Sequence, residues 1–213
     1  MNHELITSFW NYFKKNNFAF LLIKEIPKAE LETHFNELDE RLKEYNKDLG
    51  FIIKNGKNRS ELIITSHGNP YLFKEVELLV HYAPTIERWK ITAFLQPEQN
   101  ITKYEDGTDK PFQFYGISLK ISEMYFLPLE NPKNPIDLGI CIYINNYLFY
   151  KDNPKLREAI YIQIEHLIGE KSFANNITFI DINQIPITNI NLFQLYYLYP
   201  FIEDFKSDIN NQA

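Results

Sequence analysis

A chain of 213 residues, 45% hydrophobic and 23% charged, is long enough to bury a substantial core and too apolar to be disordered. Its formal net charge of -6 argues against a nucleic-acid surface of the usual basic kind. The only cysteine, Cys141, rules out an internal disulfide or a multi-cysteine metal site, and this usage suits a reducing cytoplasm.

The N-terminal third reads as two helices, over about residues 4–49. In the first, Leu5, Ile6, Phe9, Trp10 and Phe13 form one apolar stripe. The run Phe18 to Ile23 fits either a continuation of that helix or a strand. It is too short for a membrane segment and lacks a small-residue cleavage site. Pro27 opens the second helix, where Leu31, Phe35, Leu38, Leu42, Tyr45 and Leu49 recur in threes and fours between charged flanks such as Asp39 and Lys43. Gly50 ends it. Phe51 to Ile53 is then a strand, turned at Asn55-Gly56 to form a hairpin with the strand beginning at Leu62.

The stretch from Glu61 to Pro97 carries the clearest pattern. Leu62 to Thr65 has the β-branched composition of a packed strand. Ser66-His67-Gly68 stops it, Asn69 is a helix cap, and Pro70 fits a first helical position, where no N–H is required. Leu72, Phe73, Val76, Leu79, Val80 and Ala83 form one stripe, and Ala83-Pro84 ends the helix. Trp89, Ile91, Ala93 and Leu95 then alternate with Lys90, Thr92, Phe94 and Gln96, the period of a strand. A strand, a helix and a returning strand in one sheet make a crossover unit.

Beyond Pro97, Gln99 to Pro111 reads as an exposed loop. Strands are expected around Phe114 to Lys120 and Met124 to Leu129, with a turn marked by Pro128, Asn131, Pro132, Asn134 and Pro135. Leu138, Ile140, Ile142 and Ile144 alternate as a further strand. Asp152-Asn153-Pro154 starts a helix that stops at Gly169, and Asn176 to Ile182 is a last strand. An aromatic helical tail follows at about 190–208, broken at Pro200. The uncharged stretch from Asn183 to Ile202 is too polar and interrupted to span a membrane. The expectation is a single α+β domain with a mixed sheet core over about 50–182 and helices packed on it.

The block Leu62-Ile63-Ile64-Thr65, Gly68, Phe73, Val76, Leu79-Val80, Ala83-Pro84, Trp89, Ala93-Phe94 and Pro97 resembles an uncharacterised family of cytosolic bacterial proteins. Leu167-Ile168-Gly169-Glu170 resembles a second block of that family. The resemblance covers the middle of the chain. It implies a fold and no catalytic residues.

Several residues are candidates for a site, each beside a plain structural reading such as a helix cap or a solvated helix pair, and chiefly His67 is left unexplained by folding. His67, Gly68 and Asn69 sit where a strand ends and a helix begins, a place that favours anions, although no phosphate-loop lysine accompanies them. His166 and Glu170, four apart, have the spacing of a helical proton-sharing or ligand pair, as do Glu77 and His81; neither completes a metalloprotease signature. Asp181 lies in an apolar strand and requires either solvent or a donor. Glu105, Asp106 and Asp109 lack the spacing of a calcium loop and read as solvated. Tyr196, Tyr197 and Tyr199, with Phe193, Phe201 and Phe205, exceed one buried stripe and suit a protein contact or self-association.

No catalytic set converges in sequence, and no cofactor, metal, nucleic acid or membrane is implied. The leading expectation is therefore an acidic cytoplasmic protein that binds another protein, of the inhibitor or immunity type. The alternatives are a small hydrolase or transferase with a pocket near His67 or His166, and a homodimer joined through the tail.

Overall fold

The computed structural model describes residues 3–131, 134, 137–187 and 191–212, without the side chains of Glu130 and 208–212. Pro132 and Pro135 of the expected turn, and residue 190 at the start of the expected tail, lie outside the described residues. The fold is α+β with mixed sheets, and the chain divides into two compact units, Met1–Leu95 and Gln96–Ala213. The strands form three sheets rather than one shared core, because alternation fixes the faces of a strand but not its neighbours.

The first unit begins with α1 (His3–Leu21), so Phe18 to Leu21 continues the helix. Next come α2 (Lys28–Tyr45), β1 (Gly50–Lys54), β2 (Ser60–Thr65), a 3-10 turn at Pro70–Leu72, α3 (Phe73–His81) and β3 (Trp89–Ala93). β1 and β2 form the expected antiparallel hairpin, and β2 and β3 are parallel neighbours joined through α3. Two boundaries move. α2 stops at Tyr45, and Leu49 packs from the following turn. β3 stops at Ala93, because Phe94 adopts φ 66 after donating its N–H to the Ile64 carbonyl at 2.8 Å.

Phe9, Phe13, Phe20, Leu38, Leu42, Leu62, Ile64 and Leu79 are fully buried in one core, each contributing about 1.5–3 kcal/mol by leaving water. Polar contacts orient the helices around it. Trp10 Nε1 donates to the Leu79 carbonyl at 2.9 Å, and Tyr45 Oη donates to the Glu75 carbonyl at 3.0 Å. Trp89 is buried and donates to Asn17 Oδ1 at 3.2 Å.

In the second unit, the stretch expected to be an exposed loop contains a helical turn, α4 (Thr102–Glu105), and a buried Asp109. The expected strand from Phe114 to Lys120 is a hairpin, β4 (Phe112–Phe114) and β5 (Ile117–Leu119). Tyr115 and Gly116 turn it with φ 45 and 81. β6 (Tyr125–Glu130) and β7 (Leu138–Ile144) pair antiparallel. α5 (Tyr147–Tyr150), α6 (Leu156–Ile168) and α7 (Glu170–Asn176) then lead to β8 (Ile177–Gln184), parallel to β7.

The tail differs from one aromatic helix. Phe193–Gln194 is a short strand, β9, paired with β6, and a 3-10 turn leads into α8 (Leu198–Gln212). Pro200 lies in the first turn of α8, where its missing N–H breaks no helical bond, so the helix is not interrupted. Leu138, Ile140, Ile142 and Ile144 face a core shared with Ile160, Ile164, Leu195, Leu198 and Ile202.

Candidate functional site

The first unit contains an open trough of about 660 Å³. One wall is α2, through Asn36, Asp39 and Lys43. The other is the start of β1, at Gly50 and Phe51, with His67 from the end of β2. Lys47 and Asp48 close one end.

Local chemistry sets each position. Asn46 caps α2 with its N–H on the Leu42 carbonyl, and its Oδ1 accepts the Asp48 N–H at 3.0 Å. This turn presents Lys47 and Asp48 to solvent while burying Leu49. Across the trough, Thr65 Oγ1 accepts the His67 N–H at 2.9 Å, and His67 and Gly68 adopt φ 55 and 74. A left-handed backbone is uncommon for histidine. Here it lays the imidazole on Gly50: a Cβ at Gly50 would come within 2.5 Å of His67 Nε2. Glycine at 50 thus leaves room for the ring in this position. Phe35 and Phe51 stack with ring centroids 6.0 Å apart and give the trough an apolar floor. Lys43 and Asp39 form an ion pair one helical turn apart.

His67 therefore faces β1 and α2, whereas the sequence pattern directed it to a helix start. Asn69 does cap as expected, its Oδ1 accepting the Tyr71 N–H at 3.1 Å, but the element it opens is the 3-10 turn. Gly68 and Asn69 do not line the trough. Of the remaining histidines in this unit, His34 Nδ1 lies 3.1 Å from Tyr12 Oη, His3 packs edge-on against Tyr82, and His81 also packs on Tyr82. None of the three lines the trough.

His166 and Glu170 do not share one helix. α6 ends at Ile168, and Gly169, at φ 81, starts a new direction. His166 is exposed on α6, while Glu170 is fully buried as the first residue of α7. The group that stands out is Glu165. Burial, reinforced by the nearby Glu170 carboxylate, pushes its carboxyl up to about 7. No spacing in the sequence singles Glu165 out, since burial of one helical flank is decided by tertiary packing.

Asp181 is held by a donor, one of the two outcomes expected: Asn183 Nδ2 donates to it at 2.8 Å. The same nitrogen lies 3.2 Å from the sulfur of Cys141, which is buried on β7. Next to it, a hydrogen bond with Cys141 and burial raise the Tyr143 hydroxyl above the ordinary tyrosine range.

The tail aromatics divide. Tyr196 is half-buried against the core, with Phe201 and Phe205, whereas Phe193, Tyr197 and Tyr199 are exposed. Tyr197 Oη also reaches Glu105 at 3.4 Å. More exposed aromatics occur where sequence patterning did not point: Tyr115 at the β4–β5 turn is 71% exposed, and Phe149 on α5 is 82% exposed. The only signal for Tyr115 was the following glycine, which marks a tight turn. No helix among the described residues is long and apolar enough to cross a membrane.

No protein-family model, curated protein or solved structure matches this chain.

Proposed function

We propose that this chain is a protein-binding protein of the inhibitor or immunity type, working in the cytoplasm, and that the trough between α2 and β1 is its contact surface. The observation that carries this reading is the composition of that trough. An apolar floor of Phe35 and Phe51 lies between charged side chains, Lys43, Lys47, Asp39 and Asp48, which is the apolar-centre, polar-rim pattern of protein interfaces. His67 is its only imidazole, and no cysteine, serine or threonine lines the trough with it as a nucleophile.

The test is recovery of the full chain from native lysate. A stoichiometric partner is expected, and Lys43→Glu/Lys47→Glu and His67→Ala are each expected to release it while the circular dichroism stays unchanged. Repeated recovery of the chain alone sinks the reading.

A second reading, a small hydrolase or transferase, is favoured by one observation: a carboxyl at Glu165 that titrates near neutrality, as general acids and bases do. A substrate screen in which Glu165→Gln abolishes a turnover seen with the parent chain would support it. Equal turnover in both would remove Glu165 from any such role.

A further inference from the structure

We infer that the trough is a strand acceptor: an extended polypeptide segment of the partner adds to the free edge of β1, between β1 and α2. This rests on the protein-binding reading above and specifies its mode.

The first ground is backbone chemistry. β1 is the terminal strand of its sheet and pairs only with β2, through Gly50 to Lys54. Among the described residues, no other group bonds to the backbone of residues 50–54. In an antiparallel ladder, alternate residues of an edge strand direct both N–H and C=O outward, so this row of donors and acceptors lacks protein partners.

Natural edges are commonly blunted by proline, a bulge or an inward charge. β1 has none of these: its register with β2 is continuous, and its one charged residue, Lys54, is last and exposed. This edge strand lines the trough at its first two residues, Gly50 and Phe51.

The second ground is side-chain complementarity. Side chains of an added strand alternate between two faces. One set would meet the stacked Phe35 and Phe51, which selects apolar or aromatic residues at every second position. At the end of the trough, Lys47 is exposed and forms no ion pair among the described residues, so a carboxylate of the segment can pair with it beside the neighbouring Asp48. The segment is therefore extended, alternately apolar, and acidic at the end that reaches Lys47.

The experiment uses the full chain and a displayed library of random ten-residue peptides, with selected peptides synthesised and titrated by fluorescence anisotropy. Each peptide amide is then N-methylated in turn. Strand addition predicts a period of two: alternate N-methyl groups weaken binding at least tenfold and the intervening ones are tolerated. It also predicts slowed amide exchange within residues 50–54 of the protein, and weaker binding by Lys47→Glu.

Binding lost with His67→Ala but indifferent to every N-methyl group would overturn strand addition and leave the trough as a side-chain contact surface. Selected peptides that bind His67→Ala and Lys47→Glu equally well, or no selected peptide at all, would overturn the trough as the contact surface. A concentration-dependent dimer that excludes peptide would instead assign the edge to a second copy of this chain and overturn the proposal.

Discussion

The imidazole of His67 rests on the backbone of Gly50, so close that a methyl group at Gly50 would come within 2.5 Å of its Nε2. The two residues lie on paired segments, because Gly50 is opposite Thr65 in the β1–β2 register and His67 follows Thr65 by two. A side chain in an uncommon left-handed conformation and a residue with no side chain thus jointly shape one end of the trough.

This contact predicts coupling. Gly50→Ala collides with the far end of the imidazole, which can swing away, so the expected cost is on the order of 1 kcal/mol rather than unfolding. In a His67→Ala background the obstacle is gone, and Gly50→Ala is expected to cost less, with a coupling of about 0.5 kcal/mol or more. Denaturant titration of the four variants measures it. Strictly additive costs would mean that the ring does not rest on Gly50 in solution.

Glu165 predicts a pH dependence of stability. Its carboxyl is raised from 4.5 to about 7 in the folded chain by burial and by Glu170, so the folded state holds the proton more tightly than the unfolded chain. The contribution is fully favourable below about pH 4.5 and is lost as pH rises through about 7. Glu165→Gln removes the ionisation. Discounted for partial exposure, it is expected to gain ~1–2 kcal/mol over the parent at pH 8 and nothing at pH 4.5. Paired denaturant titrations at the two pH values check this, and a pH-independent difference would contradict it.

The β4–β5 hairpin predicts a stabilising change. Tyr115 and Gly116 both have positive φ, the requirement of the two-residue hairpin turn that favours Asn-Gly. Asparagine tolerates the left-handed region better than tyrosine. Tyr115→Asn is therefore expected to gain ~0.5 kcal/mol, partly offset by loss of the Lys155 ammonium lying 5.4 Å from the ring centroid. A thermal melt reads the sign. A clear loss would indicate that the ring contributes more than its exposure suggests.

Much of the architecture was legible because local patterning and tertiary burial agree. Leu62 to Thr65, the Asn69 cap, the α3 stripe and the alternation from Trp89 to Ala93 each specify an element by spacing and cap chemistry. All four are found. Where patterning failed, a local conformation prevailed over it. Phe94 ends a strand whose alternation continued to Leu95, and Gly169 ends α6, so that His166 and Glu170 stand on different helices. A third left-handed position, Tyr115, folds an expected strand back on itself.

By itself, the sequence determined an acidic α+β protein with a hairpin and a strand–helix–strand unit, since hydrophobic period, caps and turn residues are properties of neighbours in the chain. Tertiary structure alone decided that the strands divide among three sheets, that β1 is an edge, that α2 flanks it, and that Glu165 is buried enough to hold a proton near neutrality. Those facts depend on residues distant in sequence meeting in space, and no period or spacing along the chain records such meetings. The trough at His67 belongs to that second kind: Phe35, Gly50 and His67 have nothing in common until α2, β1 and the end of β2 are packed together.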